Sequence, residues 1–208
     1  MSLSNQLRAI FDAERSLRAT ESELLQADTR ELETLLSAAV REAKAQEDPD
    51  EAELRLVRLA DLCAQVPGEV MADALLAILD SDFPSVRVQA GDALLDVAYD
   101  RYAEVARGIE RMLERNEDGP AMQELPLLIA EVAEPSALPL ISRFLTHKNE
   151  EVVASGIEAL TRLGDPAAVP LLKKLANDAR VVTVEEGDEE FTSTLGELAL
   201  EAIDELSE

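Results

Sequence analysis

The chain repeats itself, and this limits its folds more than any other feature. Glu131-Val132-Ala133-Glu134-Pro135-Ser136-Ala137-Leu138-Pro139-Leu140-Ile141 returns 31 residues later as Arg162-Leu163-Gly164-Asp165-Pro166-Ala167-Ala168-Val169-Pro170-Leu171-Leu172. An acid, a proline, a small residue and a second proline recur in register before an apolar pair. A second self-match overlays Leu75–Leu95 on Ile141–Thr161 with an offset of 66, about two units. It aligns Leu79 with Leu145, Val86 with Val152, Ala93 with Ala159 and Leu94 with Leu160. A period of this size marks a stacked-repeat body in which each unit buries its apolar face against its neighbours.

Helical periodicity then divides the chain. Residues 3–26 read as one long helix, with Leu3, Ile10, Leu17 and Leu24 seven apart and Leu7 and Phe11 beside them. The companion row Gln6, Ala13, Thr20 and Ala27 is too polar and small for a regular coiled coil. Asp28 and Glu31 suggest a capping-box start for a second helix to about Ala45. Residues 1–48 are therefore expected to be an N-terminal helical cap over the first repeat, or a dimerisation or docking hairpin. Gln46 to Asp50 read as a linker, and residues 49–208 as the array.

Repeat helices are expected near 51–65, 68–80, 84–98, 101–115, 119–133, 135–146, 149–163 and 166–177. Asp165 and Glu134 stand where a helix N-cap belongs, with Pro166 and Pro135 at the first helical position. Pro139 and Pro170, a turn later, are expected to remove a ladder bond and bend their helices. Gly156, on an apolar face, suggests a close approach between helices. The helix at 101–115 lacks the proline pair and that at 119–133 carries Pro126 inside it, so an irregular middle is expected. After Asn177 the β-branched runs 181–184 and 191–194 flank an acidic, Gly187-containing turn, predicting a hairpin over 180–194. It would either shield the open end of the stack or offer a strand edge. A last helix runs from Leu195 to Leu206.

The set Val152, Gly156, Ala159, Leu160, Leu163, Gly164, Asp165, Pro166, Ala168, Pro170, Leu171 and Leu172 resembles HEAT repeats, of the HEAT-like kind found in phycobilin lyases. The resemblance implies an all-α fold, an α-solenoid of about five HEAT-like helix pairs with an N-terminal helical cap and a β-hairpin insertion in the last repeat. It also implies that the second helix of each pair lines a concave surface. Corresponding positions there are Arg58, Asp92, Leu127, Glu158 and Glu197, then Leu62, Asp96, Glu131, Arg162 and Glu201. Val88, Leu95, Ala130 and Leu200 add apolar spots to the exposed side.

Charge decides what such a surface can hold. Forty-four acidic against 19 basic residues leave −25, which repels phosphate backbones and anionic membranes. Neither nucleic acid nor membrane is an expected partner. No apolar run approaches the roughly 20 residues of a membrane helix, no secretory signal opens the chain, and lone Cys63 fits a reducing compartment, so a cytoplasmic location is expected.

Chemistry is scarce. His147, the one histidine, is read as a solvated turn residue, and Cys63 as a buried small hydrophobe. Together they cannot build a zinc site with nitrogen and sulfur ligands. The iron-binding His-Glu pairs of the HEAT-like deoxyhypusine hydroxylases are absent, as is the basic, aromatic groove of HEAT-like DNA glycosylases. No cofactor, metal or catalytic residue is assigned. The expected function is a non-catalytic protein-interaction scaffold or adaptor holding a basic or amphipathic segment in an acidic concave groove. The alternative is a phycobilin-lyase-like or chaperone-like subunit handling a cofactor-bearing client.

Overall fold

The computed structural model describes residues 2–186 and 189–207, with side chains of 184–190 left aside. The turn expected around Gly187 lies outside the described residues. The order is α1 (Leu3–Leu24), α2 (Thr29–Lys44), α3 (Pro49–Gln65), α4 (Glu69–Leu79), α5 (Pro84–Arg115), α6 (Pro120–Val132), α7 (Ala137–Phe144) and α8 (Glu150–Leu163). Then come α9 (Val169–Leu172), flanked by 3-10 turns at Pro166–Ala168 and Lys173–Leu175, the hairpin β1 (Val181–Glu186) and β2 (Glu189–Thr194), and α10 (Leu195–Glu205). Strands β1 and β2 are antiparallel, with Val181 opposite Thr194.

The helices stack as an α-solenoid of five antiparallel pairs: α2 with α3, α4 with the first half of α5, its second half with α6, α7 with α8, and α9 with α10. First helices neighbour first helices from α2 to α7, and α3, α5, α6, α8 and α10 form the second row. The α2 helix buries Leu32, Leu36, Val40 and Ala43 against α3 and α4. By contrast α1 buries no residue and meets the body near its end, through partly buried Leu24, the following Leu25 and an ion pair from Glu21.

Local chemistry explains most boundaries. Asp48, Asn149 and Asp165 cap their helices by accepting from the backbone N–H two residues on, and Pro49 and Pro166 follow where no donor is needed. The expected linker is thus in part the start of α3. Asp28 caps α2 through the Arg30 N–H, without the reciprocal bond of a capping box. That reciprocal pair occurs instead at α10, between Thr194 and Glu197.

The repeat is less regular than its sequence. Glu134 is not a cap: its carbonyl accepts from Ala137 N–H in a turn, and α7 starts only after Ser136. Pro139 therefore falls in the first turn of α7, where its missing N–H costs no ladder bond. The run after Pro166 is broken into 3-10 and α segments around Pro170. Between 98 and 101 there is no loop: α5 runs through, kinked where Arg101 takes φ −140° and ψ 45°. Its guanidinium donates to the carbonyls of Ala64 (2.6 Å) and Val66 (3.1 Å) at the end of α3.

His147 is buried, not solvated, at 5% exposure. Its Nδ1 accepts from the Asn149 N–H (3.2 Å), so Nε2 carries the proton and donates to the Glu117 carbonyl at 2.9 Å. This bond is one rung of a polar ladder between successive loops. Lys44 Nζ donates to the Ala77 (2.8 Å) and Asp80 (3.0 Å) carbonyls. Asp80 Oδ1 faces the Ala121 N–H at 3.4 Å, and Asn149 Nδ2 donates to Asp118 Oδ1 at 2.6 Å. Arg180 closes the series on the His147 carbonyl (3.0 Å), while its pairing with Asp178 holds that carboxyl below the usual range.

Two close approaches depend on glycine. A Cβ at Gly156 would lie 3.3 Å from both Phe144 Cβ and Leu145 Cδ2. One at Gly119 would collide with Asp80 Oδ1, the carboxylate that serves the uncapped N-terminus of α6. Gly119→Ala is expected to lower stability by about 1–3 kcal/mol through steric displacement of that carboxylate. Chemical denaturation would read it, and Asp80→Ala in the same chain should relieve most of the clash. Leu36→Ala should cost about 2–5 kcal/mol. Removal of residues 1–25 should leave the unfolding midpoint within a few degrees, measured at low micromolar concentration.

Candidate functional site

The positions expected on the exposed side of the second row lie on α3, α5, α6, α8 and α10; Arg58, Val88, Asp92, Asp96, Glu131, Glu158, Arg162, Glu197, Leu200 and Glu201 are exposed, whereas Leu95 and Leu127 are half-buried and Leu62 is buried in the core. They do not form one continuous site. Glu158 and Glu201 come together in a groove of about 500 Å³ between α8, β1 and α10. Arg58, Asp92 and Asp96 line a second groove of about 420 Å³, whose other wall is α1. Val88, Leu95, Glu131, Arg162 and Glu197 line neither of these two grooves.

Two of the outlying residues already have local work. Arg162 pairs with Glu158 one turn away at 3.0 Å. Glu197 accepts from the Thr194 N–H (2.8 Å) and hydroxyl (2.9 Å), and these bonds, the backbone one first, hold its carboxyl below the ordinary range. It is the capping acid of α10. Ala130, expected as an exposed apolar spot, is buried in the core.

The first groove has an apolar floor of Ala154, Ile157, Val182, Leu198 and Ala202. Around it stand Glu151, Glu158, Glu201 and Glu205, with no Lys or Arg in the lining. Glu151 and Glu158 are seven residues apart on α8, and Glu201 and Glu205 four apart on α10, so each pair shares a helix face. Glu151 and Glu205 were reachable by stepping along those faces. The contribution of Val182 was not, because a hairpin insertion breaks the repeat register.

The second groove is lined by Glu14, Arg18 and Glu21 of α1, by Arg58 and Asp61 of α3, and by Gln89, Asp92 and Asp96 of α5. Glu21 reaches Arg58 Nη1 at 3.1 Å, and Asp61 accepts from Gln89 at 2.7 Å. These partners lie 37 and 28 residues apart, and no motif connects them.

On the first row, Tyr102, Ala106 and Leu140 lie in a third groove of about 380 Å³, rimmed by Arg107, Glu110 and Arg143. The Tyr102 hydroxyl is shielded from solvent, and burial pushes its pKa up. Among the described residues no group of three or more His, Cys, Asp or Glu is placed to hold a metal ion, and no helix is long and apolar enough to cross a membrane.

A family model described as HEAT repeats matches residues 108–186, so the chain carries HEAT repeats over that stretch. The matched description stops at the repeat and does not extend to phycobilin lyases. None of the curated proteins matches the chain. Among solved structures, an engineered protein from a structural genomics consortium is 16% identical, covering 86% of this chain and 88% of its own, with a TM-score of 0.36. At that score the two chain paths differ too much for the likeness to bear on function.

Cys63 is fully buried in α3, and desolvation pushes its thiol up to about 12. Such a thiol is a core atom and no nucleophile at neutral pH. The unfolded chain can release this proton above its ordinary value of 9.0 while the folded chain cannot. The associated stability is therefore complete below pH 9 and is lost as pH rises from there toward 12, by about 1.4 kcal/mol per pH unit. Denaturation series across that window should show Cys63→Ala with a shallower alkaline decline than the parent. A thiol reagent at pH 8 should label Cys63 only when denaturant is present.

Proposed function

We propose that this HEAT-repeat protein is a non-catalytic interaction scaffold that holds a basic, amphipathic segment of a partner protein between α8, β1 and α10. One observation carries the reading: four carboxylates, Glu151, Glu158, Glu201 and Glu205, surround an apolar floor with no cation among the lining residues. Opposite charge raises the rate of encounter, and burial of the partner's apolar face against Ile157 and Leu198 retains it. Nucleic acid, with the opposite charge preference, is a poor fit to the same surface. HEAT repeats commonly mediate protein–protein contact, which supports a protein partner over a small substrate. A cytoplasmic setting belongs to the same proposal and rests on the lone buried thiol of Cys63.

Because the whole surface is acidic, the test must separate the groove from general charge. Glu158→Lys, Glu201→Lys and Glu205→Lys together should reduce partner capture from the source cell at least tenfold. Glu42→Lys, Glu47→Lys and Glu114→Lys, an equal change of charge away from the groove, should reduce it less than threefold. Cross-linking should then map the retained segment to a helix with Lys or Arg on one face. Equal loss in both triple variants, or no loss in either, sinks the groove reading.

A further inference from the structure

The N-terminal helix poses a problem that the repeat array does not solve. Helix α1 has 22 residues, a length of about 33 Å, yet none of them is buried. Leu3 is 85% exposed, Leu7 52%, Ile10 63% and Phe11 52%. A helix of this length gains most of its stability from packing an amphipathic face. The spacing 3, 7, 10, 14, 18, 21 places the apolar stripe on the same face as Glu14, Arg18 and Glu21, which form one wall of the groove over α3 and α5. The stripe therefore continues that wall beyond the body.

Charge says what can lie against it. The protein carries 44 acids in 208 residues, but residues 2–11 contain none and hold one base, Arg8. Opposite α1, the groove presents Asp92 and Asp96, which have no ion-pair partner among the described residues. A helix with an apolar face and basic, acid-free flanks fits between these walls. The acid-free stretch 2–11 of a second copy's α1 has that chemistry, with Arg8 beside its stripe, whereas Arg15 is already paired with Asp12.

We propose that two copies of this chain associate through α1. The stripes Leu3, Leu7, Ile10 and Phe11 pack on each other, and each α1 turns Arg8 toward Asp92 and Asp96 of the other copy. The contact is reciprocal, so two-fold symmetry closes it as a dimer. Elsewhere a charge of −25 keeps copies apart. This surface is separate from the groove between α8 and α10, and its test reads mass instead of partner capture.

Light scattering and sedimentation velocity on the full chain at about 100 µM should give twice 22.6 kDa, dissociating on dilution. Ile10→Glu should return the monomer mass while the far-ultraviolet spectrum keeps its helix, since α1 holds no core residue. Asp92→Lys with Asp96→Lys should weaken the dimer at least tenfold. A wild-type monomer at that concentration, or a dimer that survives either change, overturns the proposal. So does a monomer whose α1 instead carries it onto phosphatidylglycerol vesicles, which would assign the stripe to a lipid surface.

Discussion

Every helix ends in carbonyl groups that its own ladder cannot satisfy, and in this protein a neighbouring repeat satisfies several of them. Lys44 closes the end of α4, Arg101 that of α3, and Arg180 the loop carbonyl of His147. His147 does the same for Glu117. The apolar faces supply the attraction between units, but apolar contact alone tolerates sliding. Directional bonds to carbonyls hold each pair at one register against the next, and the placement of every surface groove follows from that register.

The same division of labour explains the irregular middle. Arg101 departs from helical geometry, so one long helix serves two repeats, and the guanidinium thrown off at the kink anchors on α3. Gly119 leaves room for the Asp80 carboxylate at the start of α6, where a side-chain cap is missing. A capping acid borrowed from the preceding loop stands in for a local one. Departures from the repeat consensus are therefore points where neighbouring units are tied together.

Two of the candidate grooves lie at the ends of the array. At the C-terminal end the hairpin inserts Val182 between α8 and α10, and turns two helix faces into a lined groove. Its base is fixed by Leu195 and Gly196 N–H groups donating to the carbonyls of Arg180 and Asp178. At the other end α1 leaves the body and adds a wall over α3 and α5. Both additions lie outside the repeated unit, and each gives the acidic second row a different shape.

Much of this was legible without coordinates. The 31-residue echo and the β-branched runs after Asn177 specify the solenoid and the hairpin, because each rests on local backbone chemistry. Periodicity likewise placed Glu158 and Glu201 on exposed helix faces. It could not show that Glu197 spends its carboxylate on Thr194, that Ala130 is buried, or that His147 is a core residue. Those outcomes depend on partners 3 to 30 residues away competing for the same atoms. Nor could it show that Glu158 and Glu201 meet in one groove and Arg58, Asp92 and Asp96 in another, since the elements that wall them off, β1 and α1, carry no repeat signature. Sequence determined the helices and their faces, through short-range sterics and amphipathic spacing. Only tertiary packing decided which carboxylates meet, because that depends on the register set by bonds between repeats.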